Sequence, residues 1–226
     1  MPRHHLSVPP EAPGTPLRTR RLVVLDVDST LITAEVIELI ADRAGSRAEV
    51  AAITERAMRG DIDFAESLHE RVATLAGLPV GVLDDVLREV ELTPGARELV
   101  AELLRRGWPV GLVSGGFAEI VEPLAASLGI TLTRANRLEV AGGVLTGRVH
   151  GPVIDRAAKA AALRDYARDA GIDLADTIAI GDGANDLAML AAAGFSVAFN
   201  AKPLVRDAAD VALDGRLDAV LAYLHD

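Results

Sequence analysis

The chain has 226 residues, 50% of them hydrophobic and 25% charged, the balance of an ordinary folded globular protein. A formal net charge of -10 argues against wholesale binding to nucleic acid or an anionic membrane. The lack of cysteine removes disulfides, thiolate catalysis and cysteine-bound zinc together. No run approaches ~18 consecutive apolar residues, and the N-terminus lacks the apolar core of a signal peptide, so a cytoplasmic location is expected.

Residues 1-20 hold five of the eleven prolines and no apolar periodicity, which predicts a mobile tail. His4 and His5 fall in it, with no acidic or histidine partner at ligand spacing. Order is expected from Leu22, where Leu22-Val23-Val24-Leu25 reads as a strand covered on both faces. Residues 35-90 then give about four helical segments, more than a simple crossover requires. This surplus predicts a small helical cap over 35-92, inserted into a core made of 21-34 and 93-226. Further strands are predicted at Pro109-Val113, Thr177-Ile180, Phe195-Phe199 and Val211-Leu213. Helical periodicity marks 96-106, 117-128, 156-170 and 184-192. Residues 131-149, centred on Gly142-Gly143, read as a β-hairpin beside the main sheet. Alternating strands and helices predict an α/β fold with a doubly wound parallel sheet, a Rossmann-like core.

Each predicted strand end carries chemistry. The first runs into Asp26-Val27-Asp28-Ser29-Thr30, the second into Ser114-Gly115-Gly116, the third into Gly181-Asp182-Gly183-Ala184-Asn185-Asp186. Carboxyl ends of adjacent parallel strands converge on one crevice, where ligands bind. Taken alone, Asp26 and Asp28 read equally well as turn aspartates. With Asp182 and Asp186 at the same rim, crowded carboxylates repel unless a cation joins them, and hard oxygen donors suit Mg2+ better than zinc. Ser114, followed by two glycines and a helix, offers a hydroxyl and bare amides to an anion, although alone it reads as an ordinary strand-to-helix turn. Asp155 is placed as an N-cap, which puts Arg156 and Lys159 in the first helical turn, where the dipole disfavours cations. A lysine there is read as reaching an anion; Arg156 has less to recommend it. In the cap, Phe64, Leu68, Arg71 and Leu75 share a stripe that Arg71 interrupts. Arg71 either covers apolar surface with its stem or points into a cavity. Glu35, on pattern alone, is an acid complementing a helix dipole.

Together these residues closely resemble the haloacid-dehalogenase-like hydrolase superfamily, and within it the phosphoserine phosphatases. The resemblance covers nearly the whole chain after the tail. It rests on Asp26-Val27-Asp28-Ser29-Thr30-Leu31, on Val113-Ser114-Gly115-Gly116-Phe117, on Lys159 and on Gly181-Asp182-Gly183-Ala184-Asn185-Asp186. Val27 stands where the family usually has Phe. The resemblance implies a Mg2+-dependent hydrolysis of O-phospho-L-serine to L-serine and phosphate, the last step of serine biosynthesis. It implies Asp26 as nucleophile and Asp28 as acid and base, with Mg2+ on Asp26, the Asp28 carbonyl and Asp182. Ser114, Gly115, Lys159 and Asn185 would bind the phosphate side and Asp186 would support the metal shell. Glu35 would receive the substrate ammonium and Arg71 its carboxylate, and Met58 and Phe64 would close over them. No regulatory amino-acid-binding domain is expected before the catalytic part, the tail being too short. The expected partner is the small-molecule substrate, with neither nucleic acid nor membrane, and the oligomeric state stays open.

Two other readings compete. One is a phosphatase of the same superfamily acting on another small phosphomonoester. The other is a non-catalytic Mg2+-binding switch phosphorylated on Asp26, as in receiver-like domains, against which the cap and Asp28 speak. A dehalogenase reading is weaker, because it leaves Asp28 and the metal ligands without a use.

Overall fold

The computed structural model describes residues 20-59 and 61-224, apart from the side chain of Met58. The expected tail, with His4 and His5, and the expected closing contact of Met58 lie outside the described residues. Strands β1 (Leu22–Leu25), β2 (Val110–Phe117), β3 (Leu132–Ala141), β4 (Val144–His150), β5 (Thr177–Gly181), β6 (Phe195–Phe199) and β7 (Val211–Leu213) form one sheet, ordered β4-β3-β2-β1-β5-β6-β7. Every pairing is parallel except that of β3 with β4. The hairpin predicted beside the sheet is therefore part of it: β3 continues the parallel ladder from β2, and β4 folds back as an antiparallel edge. Gly142 and Gly143, at φ 60° and 80°, supply the two left-handed residues that such a tight turn demands.

Side-chain alternation along β1 divides the core into two layers. Val23 and Leu25 face α5 (Ala96–Arg105), α6 (Ala118–Ser127) and the C-terminal turn around Leu217 and Val220. Leu22 and Val24 face α7 (Arg156–Ala170) and α8 (Leu187–Ala192). A strand buried on both faces must be apolar throughout, which is why all four of its residues are aliphatic. Helix α7 starts where Asp155 Oδ1 accepts the Ala158 amide at 2.8 Å, the N-cap read from the sequence.

Four cap helices lie between β1 and β2: α1 (Val36–Ala44), α2 (Arg47–Arg59), α3 (Phe64–Ala73) and α4 (Val82–Glu89). A short α9 (Pro203–Arg206) joins β6 to β7. The outgoing and returning connectors run side by side, with Thr33 N donating to Glu91 O and Thr93 N to Leu31 O. A second strip of backbone bonds ties the cap to the sheet edge. Gly77 N donates to Leu145 O, Leu145 N to Leu78 O and Val80 N to Gly143 O, at 2.8 to 2.9 Å. This strip pairs backbone groups of β4 that would otherwise stand open at an edge. Among the described residues, no helix is long and apolar enough to cross a membrane.

Candidate active site

The carboxyl ends of β1, β2 and β5 meet at one rim. Asp26 follows β1 directly, and its amide donates to Ile180 O at 2.9 Å, so its side chain projects from backbone fixed by the ladder. A tight turn follows, in which Ser29 takes φ 58°. The left-handed region costs a non-glycine residue about 1–2 kcal/mol. Ser29 holds it while its Oγ donates to Glu35 Oε1 at 2.7 Å. The turn brings Asp28 to the N-terminus of α1, where Asp28 Oδ1 accepts the Val36 amide at 3.1 Å.

The Ser114-Gly115-Gly116 segment corrects the sequence reading. It lies within β2 rather than at a helix start, and α6 begins only at Ala118. Between the pairs Val113↔Arg134 and Phe117↔Asn136, β2 spends three residues where β3 spends one. The surplus bulges out of the ladder toward Asp28. Ser114 Oγ donates to Asp28 Oδ2 at 3.3 Å and accepts the Gly116 amide at 2.8 Å. Glycine suits this close approach, since a Cβ on Gly116 would lie 2.5 Å from Asp28 Oδ2 and push that side chain aside. Asn136 clamps the bulge: its Nδ2 donates to Gly115 O, and its Oδ1 accepts the Ile154 amide, both at 2.8 Å.

Lys159 is fully buried between two carboxylates, donating to Asp26 Oδ1 at 2.6 Å and to Asp186 Oδ1 at 2.7 Å. Asp186 Oδ2 accepts the amides of Asp182 and Gly183 at 3.2 and 3.0 Å, which fixes the loop after β5. Thr30 Oγ1, also buried, donates to Asp182 Oδ1 at 3.0 Å. Burial opposes the Lys159 charge, but Asp186 and Asp26 outweigh it and hold its pKa above the ordinary lysine value. Burial and the neighbouring Asp186 raise Asp26 well above the usual carboxylate range, with Lys159 pulling the other way. Burial, then Glu35, pushes Asp28 up to about 7. Asp182 is raised to about 6 by burial and by Asp186. Oxygens of Asp26, Asp182 and Asp186 lie within 4.8 Å of one another, more negative charge than one lysine balances. All these donors are hard oxygens, so the group suits a small divalent cation.

Above this rim the cap roofs a cavity of about 510 Å³. Its floor includes Asp26, Asp28, Asp182 and Asn185, and its upper wall includes Glu35, Phe64, Ser67 and Arg71. Arg71, the residue that interrupts the apolar stripe, is among those that line this cavity. Its Nε donates to Ser67 O at 3.2 Å, and the guanidinium makes no ion pair among the described residues. Burial lowers its pKa against the pull of Glu35, Asp28 and Glu38. Phe64 meets the core at Gly115, where a Cβ would stand 3.0 Å from its ring. Leu68 and Leu75 turn into the apolar core. Asn185 is half-buried on a short turn over Ala184–Asp186. The exposed Arg156 and Lys202 also line the cavity.

Sequence reasoning assigned no role to Thr30, Ser29, Asn136 or Ser67. The first two stand inside the first motif, where a hydroxyl pair after two aspartates was a signal. Asn136 and Ser67 gave none, since a polar residue in an edge-side strand or on a surface helix is ordinary.

A family model described as haloacid dehalogenase-like hydrolase matches residues 23–191. The chain is 55% identical over 221 residues to a phosphoserine phosphatase, SerB2, of Mycobacterium tuberculosis, covering 97% of this chain and 54% of that protein. The chain thus spans about half the length of the first relatives it matches. A phosphoserine phosphatase of Streptococcus thermophilus is 54% identical over 185 residues, 82% of this chain and 86% of that one. A solved phospho-aspartyl intermediate analogue of phosphoserine phosphatase superposes with a TM-score of 0.86 at 41% identity, covering 92% of this chain and all of that one.

Proposed function

The chain belongs to the haloacid dehalogenase-like hydrolase family, and from that premise we propose that it hydrolyses O-phospho-L-serine to L-serine and phosphate through a phosphorylated Asp26. The observation that carries this reading is one cavity with two chemistries. Asp26 and Asp28 lie below, with Lys159 bonded to Asp26 behind them, and Arg71 and Glu35 line the cavity on the cap side. The relatives named above support the same reading, as does the cavity volume, which suits a small phosphomonoester.

Asp26 attacks phosphorus, forming an acyl phosphate as the bond to the serine oxygen breaks. Asp28, with its pKa near 7, is the group that protonates the departing oxygen. Once deprotonated, it takes the proton of the water that hydrolyses the acyl phosphate and regenerates Asp26. Acid–base assistance of this kind is typically worth ~10²–10⁴-fold. Lys159 offsets the charge of the phosphoryl oxygens beside the anionic nucleophile, and Ser114, Gly115 and Asn185 hold them from the sides. The Asp26 and Asp182 carboxylates and the Asp28 carbonyl would hold Mg2+, with Asp186 supporting them through Lys159 and the loop amides. When bound, Mg2+ supplies a hard Lewis acid that neutralises phosphoryl charge.

Arg71 pairs with the substrate carboxylate and Glu35 with its ammonium, and Phe64 closes the cap over both. A phosphoester without the carboxylate leaves the Arg71 charge unpaired in a part-buried site, which rejects it. Residues 35–92 are the cap in this reading, and the reaction takes place in the cytoplasm as the last step of serine biosynthesis.

The test is phosphate release with Mg2+ from phosphoserine, O-phosphoethanolamine and simple alkyl phosphates. Phosphoserine is expected to be hydrolysed fastest, and Asp26→Asn to lose turnover on every substrate. Arg71→Ala is expected to raise KM for phosphoserine at least tenfold and leave the alkyl phosphates little changed. Full activity in Asp26→Asn would sink the mechanism; equal losses across substrates in Arg71→Ala would sink the specificity.

A further inference from the structure

Ser67 Oγ is a buried polar side-chain atom with no hydrogen-bond partner, the one such atom among the described residues. Its residue is only 1% exposed, yet it lines the catalytic cavity. A buried hydroxyl left unpaired is costly, and native proteins hold few of them. The helix does not satisfy it: the residue's amide and carbonyl are used, by Asp63 O and Arg71 Nε, and the hydroxyl is left over. Ser67 stands one helical turn before Arg71 on the same face of α3, and both residues line the cavity. The bond from Arg71 Nε to Ser67 O holds the guanidinium beside this serine at 3.2 Å.

From this geometry we propose that Ser67 is a substrate-contacting specificity residue, whose hydroxyl donates to the carboxylate held by Arg71. This rests on the proposed reading of the site as one for phosphoserine, and it adds a second recognition group to it. The orphan hydroxyl is satisfied when a carboxylate oxygen arrives, so its bond exists only in the complex. A ligand with a hydrogen at that position leaves both Ser67 and Arg71 unpaired. Two groups, one charged and one neutral, then converge on one carboxylate. Ser67 acts on binding and takes no part in phosphoryl transfer.

The experiment compares Ser67→Ala with the parent on phosphoserine and on O-phosphoethanolamine, which keeps phosphate and ammonium and lacks the carboxylate. Ser67→Ala is expected to raise KM for phosphoserine roughly tenfold, the loss of one hydrogen bond to a charged group, with kcat little changed. KM for O-phosphoethanolamine should stay within about twofold. Calorimetric binding of L-serine, the product that retains the carboxylate, should weaken by a similar factor. Thermal unfolding of the ligand-free protein should show Ser67→Ala as stable as the parent or more so, because the substitution removes an unpaired polar group. Ser67→Thr, which restores a hydroxyl, should recover much of the phosphoserine KM.

An unchanged phosphoserine KM in Ser67→Ala would overturn the proposal and mark the hydroxyl as served by water. Equal losses on both substrates would overturn it too, by pointing to a displaced helix. A parent protein that hydrolyses neither compound would instead remove the reading of the site on which the proposal stands.

Discussion

Asp28 stands under two demands that pull its proton in opposite directions. Burial and Glu35 favour the neutral acid, while the Val36 amide and the Ser114 hydroxyl favour the carboxylate. The first pair prevails, and the pKa of about 7 lies above the unfolded value near 3.8. A raised carboxylate pKa contributes stability that is fully present below the unfolded value and is lost as pH rises through the folded one. Metal-free protein should therefore become less stable between about pH 4 and pH 8. Asp28→Asn should flatten that slope and be more stable than the parent at pH 8, by on the order of 2 kcal/mol. Urea unfolding in chelator across this range measures it, and parallel slopes for the two proteins would contradict the account. At this scale the sequence was legible wherever a residue type was unusual for its place. Lys159 in a first helical turn and Arg71 on an apolar stripe both advertised themselves. Ser67 did not, because a serine becomes unusual only when burial leaves its hydroxyl without a partner, and burial is a property of the fold.

The bulge in β2 and the edge hairpin show how elements, rather than residues, aim the site. Ser114 reaches Asp28 because β2 spends two extra residues against β3, a feature of register that no strand periodicity reveals. The sequence therefore placed Ser114 at the right rim and at the end of a strand, but read the two glycines after it as a turn into a helix where they continue β2. It likewise found the hairpin by its glycine pair and missed its membership in the sheet, since pairing partners far apart in sequence leave no local trace. The hairpin also sets the position of α3. Gly147 in β4 has φ 78°, and a Cβ there would lie 2.9 Å from Ala76 Cβ and 3.2 Å from Ala73 O, at the end of that helix. Gly147→Ala should therefore cost on the order of 1–3 kcal/mol through both a forbidden backbone conformation and an overpacked contact. Because α3 carries Phe64, Ser67 and Arg71, the same change should raise KM for phosphoserine more than it lowers kcat. Denaturant unfolding and steady-state kinetics check the two parts separately.

For the whole molecule, the balance of charge links folding to the bound cation. Asp26 and Asp182 both have raised proton affinities at one rim, so the folded protein holds protons that a divalent ion would displace. Mg2+ at about a hundredfold over its dissociation constant should stabilise the fold by about 2.7 kcal/mol. In a protein of this length that corresponds to roughly 5–10 °C in Tm. The shift should be larger at pH 8 than at pH 5, where protons compete for the same oxygens, and chelator should reverse it. A Tm indifferent to Mg2+ at both pH values would remove the cation from the account. The cap, finally, is continuous in sequence yet fastened at two places, by its paired connectors and by the strip from Gly77 to Val80 along β4. The strand that receives this strip lies some sixty residues downstream, beyond β2 and β3. The four helices cut out at their two connectors would leave this mooring behind. In a chimaera between relatives, the transferable piece is two separate stretches, the four helices together with β3 and β4, and recombination at a single boundary would divide them.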